Sequence, residues 1–227
     1  MTVSICVSIS PKTINEALSF VEEAERHEAD LIEARLDIFK DYDKLSDVAN
    51  CGKVPMIATN RSTKDHGNFL GSEAERQQTL ARAAESGFEY VDVELSSPNR
   101  QSIIKNLQEL GVKPIVSFHD FNKTMSMPRM NRILEEEVAS GADICKIVTT
   151  ARVVEDNLTV LDFVSKRCKR TKMVSFAMGE LGKPSRLLSP LFGAYFTIAS
   201  LEKKRETALG QLTIQQMRDI YRNMGLM

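Results

Sequence analysis

The feature that most narrows the fold is a phrase that recurs along the chain: a polar helical stretch ends at a small residue, and a short apolar run follows at once. It reads Ala24–Ala29 then Asp30-Leu31-Ile32, and Ala84-Glu85-Ser86-Gly87 then Tyr90-Val91-Asp92-Val93. It returns as Leu110-Gly111 before Pro114-Ile115-Val116, and as Ser140-Gly141 before Asp143-Ile144-Cys145. A glycine just past a helix end can take the left-handed conformation that caps the last turn. The runs that follow are short and rich in Ile and Val, with few alternating polar residues, as in strands covered on both faces. Parallel strands joined by helices are the arrangement that fits.

On this pattern strands are expected over 3–9, 30–36, 54–60, 88–94, 113–118, 143–148, 172–177 and 193–199. Helices are expected over 12–27, 72–86, 98–110, 126–140, 154–168 and 213–224, with a short one near 41–49. Apolar positions at helical spacing, such as Ile14, Leu18, Val21 and Ala24, support the first of these. Strands alternating with helices allow a closed barrel or an open doubly wound sheet. A dinucleotide-binding sheet would carry a glycine fingerprint after its first strand. Ser8-Ile9-Ser10-Pro11-Lys12 stands there instead. Eight strands within 227 residues favour a single-domain (β/α)8 barrel of the TIM type over residues 1–227.

Charge and cysteine usage close off several functions. Apolar residues make up 42% and charged residues 27%, which supplies a sizeable core for a globular protein. A net charge of -1 offers no general field for nucleic acid or an anionic membrane. The basic cluster Lys166-Arg167 with Lys169-Arg170 reads as the solvated face of a helix. Four cysteines (Cys6, Cys51, Cys145, Cys168) lie far apart without metal-ligand spacing, which suits a reducing compartment. No basic leader precedes the run that begins at Val3, and no apolar stretch approaches the ~20 residues of a membrane span. A cytoplasmic location is expected, with no nucleic-acid or membrane partner.

In such a barrel the chemistry sits at the carboxyl ends of the strands. Lys146 interrupts the apolar run Ile144-Cys145-Lys146-Ile147-Val148. Burial of an unpaired ammonium lowers its pKa, and a partly neutral amine can attack a ketone to form an imine. His119 closes Pro114-Ile115-Val116-Ser117-Phe118, where it could act as acid or base near neutral pH. Glu33 and Arg35 share one face of the second strand, so each needs the other or a polar ligand. Arg61 ends Met56-Ile57-Ala58-Thr59-Asn60, with Asp65 and His66 in the loop beyond. Arg186 follows the glycine-containing segment Gly179–Ser185, which could cradle an anion. Together these groups describe a pocket for a small polar anion bearing a carbonyl.

Taken in order, the motifs Glu33-x-Arg35-x-Asp37, Arg61-Ser62-x-Lys64 and Ser117-Phe118-His119-Asp120-Phe121 resemble the type I 3-dehydroquinate dehydratase family. So do Asp143-Ile144-Cys145-Lys146-Ile147, Ser185-Arg186-Leu187 with Phe192-Gly193, and Gly210-Gln211. The resemblance runs from Val3 to the last helix. It implies a barrel lyase that converts 3-dehydroquinate to 3-dehydroshikimate in the shikimate pathway, without metal or organic cofactor, as a homodimer. Lys146 then matches the Schiff-base lysine and His119 the general acid/base. Glu33, Arg35 and Arg61 match the residues that hold the hydroxylated ring, Arg186 the partner of the carboxylate, and Gln211 the glutamine of a closing loop. Asp65 stands where the family has a glutamate that orients the histidine, and Thr207 where it has a serine. Aspartate is one methylene shorter, so support of His119 through a water is expected. The polar segment 202–211 is expected to be a lid that brings Thr207 and Gln211 to the ligand only on closure. Two other readings fit a pocket of this kind: an imine-forming aldolase acting on a sugar phosphate, and a non-catalytic barrel that binds a small anion.

Overall fold

The computed structural model describes residues 3–203 and 205–227. Among these, eight parallel strands form one sheet: β1 (Ile5–Ile9), β2 (Leu31–Arg35), β3 (Met56–Thr59), β4 (Tyr90–Glu94), β5 (Lys113–His119), β6 (Ile144–Thr150), β7 (Met173–Met178) and β8 (Thr197–Ser200). Each pairs with its sequence neighbour as far as β7, and β8 returns to pair with β1. Between β7 and β8 the Tyr195 N–H donates to the Met173 carbonyl at 2.7 Å, so the sheet curls into a nearly closed barrel. Around it lie α1 (Ile14–Arg26), α2 (Leu45–Asn50), α3 (Glu73–Glu85), α4 (Arg100–Glu109), α5 (Met127–Ala139), α6 (Asp156–Arg167), α7 (Lys183–Leu188) and α8 (Ile214–Asn223). The expected (β/α)8 architecture is the one observed.

Local chemistry sets where these helices begin. Ser72 and Glu75 form a reciprocal capping box ahead of α3, and Thr213 with Gln216 does the same for α8. Two regions differ from the sequence pattern. The eighth strand starts at Thr197 rather than at 193, because a turn over Ser189–Phe192 ends at Gly193 with φ +103°. A Cβ there would lie 2.4 Å from the Cys168 sulfur, so the chain extends only after it has cleared that contact. Second, Gly179–Ser185 is no open anion cradle. It forms a short helical turn running into α7, and a Cβ on Gly182 would meet the Ala177 carbonyl oxygen at 2.4 Å. The segment is packed against β7 and is too tight to wrap a ligand.

Strand side chains alternate between the barrel interior and the helices. Cys6, Leu31, Ile57, Tyr90, Ile115, Ile144, Val174 and Phe196 form an apolar interior layer. Two residues further along the strands, the inward positions become Ser8, Glu33, Thr59, Asp92, Ser117 and Lys146 on β1 to β6, all buried. On β7 and β8 the same level holds Phe176 and Ile198. The functional cavity opens directly above this layer, which is polar on six strands and apolar on two.

Candidate active site

Lys146 is the centre of the polar side. Its ammonium, 3% exposed as a residue, lies 3.0 Å from Asp92 Oδ2 and 3.1 Å from Glu33 Oε1. Each carboxylate is held in turn by neutral and charged donors. Glu33 accepts from the Ser8 hydroxyl at 2.6 Å and the Thr59 hydroxyl at 2.9 Å. Asp92 accepts from Arg61 Nη2 at 2.9 Å and from the Ser117 hydroxyl at 2.7 Å. Arg61 also donates to Ser117 Oγ at 2.9 Å and lies 3.6 Å from Glu94. Strand neighbours thus supply a network that fixes the amine at one point.

That network reverses one expectation. Burial alone would lower the Lys146 pKa, but the attraction of Asp92 and then Glu33 outweighs it, and the pKa rises above the ordinary lysine value. The sequence pattern shows burial but not partners, hence the opposite reading. The partners feel the reverse. Burial would push both carboxyls up, yet Lys146 and then Arg35 bring Glu33 down to about 2, and Arg61 and then Lys146 bring Asp92 down to about 2. Arg61 is raised for the same reason: its burial is outweighed by Asp92 and Glu94.

His119 sits half-buried at the end of β5, where Ser117 pairs in register with Lys146. Desolvation, followed by the nearby positive charges of Arg61 and Lys146, holds its pKa well below the usual histidine range. The ring is therefore neutral at neutral pH.

The opposite wall is built differently. Arg186, on α7, is 1% exposed and has no acidic partner among the described residues. Its guanidinium rests on the Phe176 ring at 4.1 Å and, among the described residues, donates only to the Ile198 and Leu209 carbonyls, each at 3.3 Å. Its Nε is buried without a partner among the described residues. Burial without compensation drags its pKa to about 9, against an ordinary arginine value above 12.

One cavity, of about 510 Å³ including its open mouth, is lined by Glu33, Arg35, Arg61, Asp65, His119, Lys146, Arg186, Thr207 and Gln211. All nine residues singled out from the sequence therefore meet. Several do so in other pairings than the sequence suggested. Glu33 and Arg35 do not pair with each other: Arg35 forms a bidentate bridge to Asp37, at 2.8 and 3.0 Å. Asp65 makes no direct hydrogen bond to His119, in keeping with its shorter side chain. Its carboxylate accepts from the Ser62 hydroxyl at 2.9 Å and the Ser96 hydroxyl at 3.3 Å. Thr207 and Gln211 already face the cavity. The Gln211 Oε1 accepts from the Thr207 N–H at 2.8 Å, and the Thr207 hydroxyl donates to Ser8 Oγ at 2.9 Å. Gly210, at φ +73°, lets the backbone approach Gly179, whose carbonyl oxygen would lie 2.2 Å from an added Cβ. Of the segment expected to form a lid, Lys204 lies outside the described residues.

Asp92, Ser117, Ser8 and Thr59 were not anticipated. Asp92 interrupts Tyr90-Val91-Asp92-Val93 just as Lys146 interrupts its own run, so the signal for it was available.

An inward-facing amine and an imidazole on parallel strands, with an unpaired guanidinium on the helix that follows β7, define a (β/α)8-barrel enzyme. A model of the type I 3-dehydroquinase family matches residues 5–227. A 3-dehydroquinate dehydratase of Dehalococcoides mccartyi is 39% identical over 171 residues, covering 75% of this chain and 76% of that protein. One from Methanococcus maripaludis is 32% identical over 223 residues, covering 97% of this chain and all of the relative. The crystal structure of 3-dehydroquinate dehydratase from Geobacillus kaustophilus superposes with a TM-score of 0.91 at 26% identity, over 99% of this chain and 92% of that one. The chain belongs to the type I 3-dehydroquinase family.

Proposed function

We propose that this enzyme converts 3-dehydroquinate to 3-dehydroshikimate and water through an imine on Lys146. The observation that carries the reading is the pairing of opposites across one cavity. A lysine is held between two ionised carboxylates, and facing it is a buried arginine without an anion. Arg186 is the natural seat of the substrate carboxylate, since a guanidinium offers it two parallel donors. Glu33, Arg35, Arg61, Thr207 and Gln211 supply polar groups for the hydroxylated ring.

The steps follow from these charges. The Lys146 ammonium must lose a proton before its lone pair can attack. Glu33 and Asp92, both near 2, do not retain that proton at neutral pH, whereas neutral His119 has a free ring nitrogen to relay it outward. The amine adds to the ketone carbon, and the former carbonyl oxygen departs as water, leaving an iminium. Its positive charge occupies the place of the ammonium, so Glu33 and Asp92 stabilise it without rearranging. The iminium withdraws electrons from the adjacent carbon, which loses a proton to the neutral His119 ring to form an enamine. The enamine expels the hydroxyl from the next carbon as His119 returns a proton to it, and water leaves. Hydrolysis consumes one water and restores the amine, for a net loss of one. Asp65 contributes a negative charge at the cavity edge and braces the loop through Ser62 and Ser96.

All four cysteines are free, and among the described residues no helix is long and apolar enough to cross a membrane. Both features support a cytoplasmic biosynthetic enzyme, and the family resemblance supports a homodimer. Incubation with 3-dehydroquinate, followed by the ultraviolet absorbance of the conjugated enone, tests the activity. Steady growth of that absorbance is expected. No growth with 3-dehydroquinate, with or without measurable binding, would refute the proposal.

A further inference from the structure

The Asp65 carboxylate accepts from the Ser62 and Ser96 hydroxyls and makes no direct hydrogen bond to His119, which leaves a place for a second source of orientation. Among the described residues no hydrogen bond reaches the His119 ring. Its contact is aromatic: Phe121 lies nearly parallel to it, with centroids 5.8 Å apart and planes within 17°. Phe121 in turn packs on His66, with centroids 3.9 Å apart and an angle of 35°. Of the three histidines in the chain, two therefore stand at this cavity, linked by one phenyl ring.

The position of His66 is tightly defined. It follows the short turn Thr63–Asp65 at φ +58°, a left-handed conformation uncommon for residues other than glycine. The loop is closed by the Gly67 N–H donating to the Ser62 carbonyl at 2.7 Å and the Phe69 N–H to the Arg61 carbonyl at 3.2 Å. A Cβ on Gly67 would lie 2.1 Å from the Arg61 carbonyl oxygen, so the loop lies directly on the end of β3. An unfavourable backbone conformation held this firmly, with its side chain stacked towards the catalytic imidazole, is the kind of strain found at functional sites.

We infer that His66 is a positioning residue that sets the plane of the His119 ring through Phe121. The inference rests on the reading of His119 as the proton relay. Ring orientation matters because proton transfer requires the nitrogen lone pair to point at the reacting atom, and small misplacements slow such steps. The stack would act on kcat and leave substrate binding nearly untouched.

His66→Gly tests this without threatening the fold, because glycine adopts positive φ readily. Its kcat should fall about five- to tenfold, the size expected from loss of one aromatic pair, with KM within about twofold. His66→Phe should restore kcat to within about twofold of the unsubstituted enzyme, because stacking needs no titratable nitrogen. Added to Phe121→Leu, His66→Gly should cost less than about twofold more, as expected for residues acting along one path. A His66→Gly enzyme with kcat within twofold of normal would overturn the inference. So would a His66→Phe enzyme as slow as His66→Gly, or fully additive losses with Phe121→Leu. His119→Ala, measured alongside, separates the two levels: it should lose about 10²–10⁴-fold in kcat. Turnover retained in His119→Ala would refute the relay itself, whereas its loss beside a silent His66→Gly would refute only the stack.

Discussion

From β1 to β6 the charges Glu33, Arg35, Arg61, Asp92 and Lys146 each have a partner of opposite sign, whereas across the same cavity Arg186 has none among the described residues. The first region is complete without substrate. Its strand charges are paired, and the arrangement fixes Lys146 at a point before any ligand arrives. The second region is incomplete by construction. Phe176 and Ile198 offer no counter-charge, and two carbonyls only partly satisfy the guanidinium. Burying a cation without an anion is costly, so its persistence points to a ligand that supplies one. The difference separates groups that are held in place by the protein itself from one whose charge is left for a ligand to meet.

The comparison is most severely tested by removing one partner on each side. Asp92→Ala leaves Lys146 and Arg61 without their shared acceptor. Breaking a buried pair in this way costs about 3–5 kcal/mol, and urea denaturation should show a loss of that order. Arg186→Leu should behave in the opposite way. It removes a charge that had no partner, so stability should hold or rise, while KM climbs about 10- to 100-fold from the loss of a charged contact. Equal destabilisation by both substitutions would erase the distinction.

A smaller effect distinguishes the sides by pH. Glu33 and Asp92, at about 2, lie below the unfolded carboxyl values near 4. The folded protein therefore binds fewer protons there than the unfolded chain. Their stabilisation is fully present above about pH 4 and is lost as the pH falls through about 2. Between those limits Glu33→Gln should unfold with about one fewer proton taken up, giving a shallower dependence of stability on pH. Arg186→Leu should leave the slope in that window unchanged, since the guanidinium does not titrate there. Unfolding free energies measured at several acid pH values decide it.

Smallest is the expected effect of Gln211→Ala. Gln211 already meets Thr207 at the cavity, and its loss should raise KM a few-fold with kcat little changed. A fall in kcat with KM constant would place it with the preorganised side.

Much of this site was legible because a charge inside an apolar strand is improbable without a purpose. Lys146 stood at such an interruption, His119 and Arg61 at the ends of apolar runs, and alternation of strand side chains sends Lys146 inward with Ile144 and Val148. What stayed hidden was pairing. Glu33 and Asp92 are 113 and 54 residues from Lys146, and only closure of the barrel brings three strands to one ammonium. The sign of the Lys146 shift depended on those partners, so burial alone pointed the wrong way. Asp65 shows a limit of reach: its charge was readable, but the geometry gives it to Ser62 and Ser96. The β8 boundary was misplaced because Gly193 belongs to a turn packed on Cys168, a contact no local pattern encodes.

The central claim is that the amine held by Glu33 and Asp92 becomes covalently bound to substrate. Borohydride added during turnover of 3-dehydroquinate reduces an imine to a stable amine, and peptide mass mapping locates it. A single reduced-substrate adduct on the peptide containing Lys146, with matching loss of activity, is the predicted result. An adduct on a different lysine, or sustained turnover by Lys146→Ala, would contradict the account.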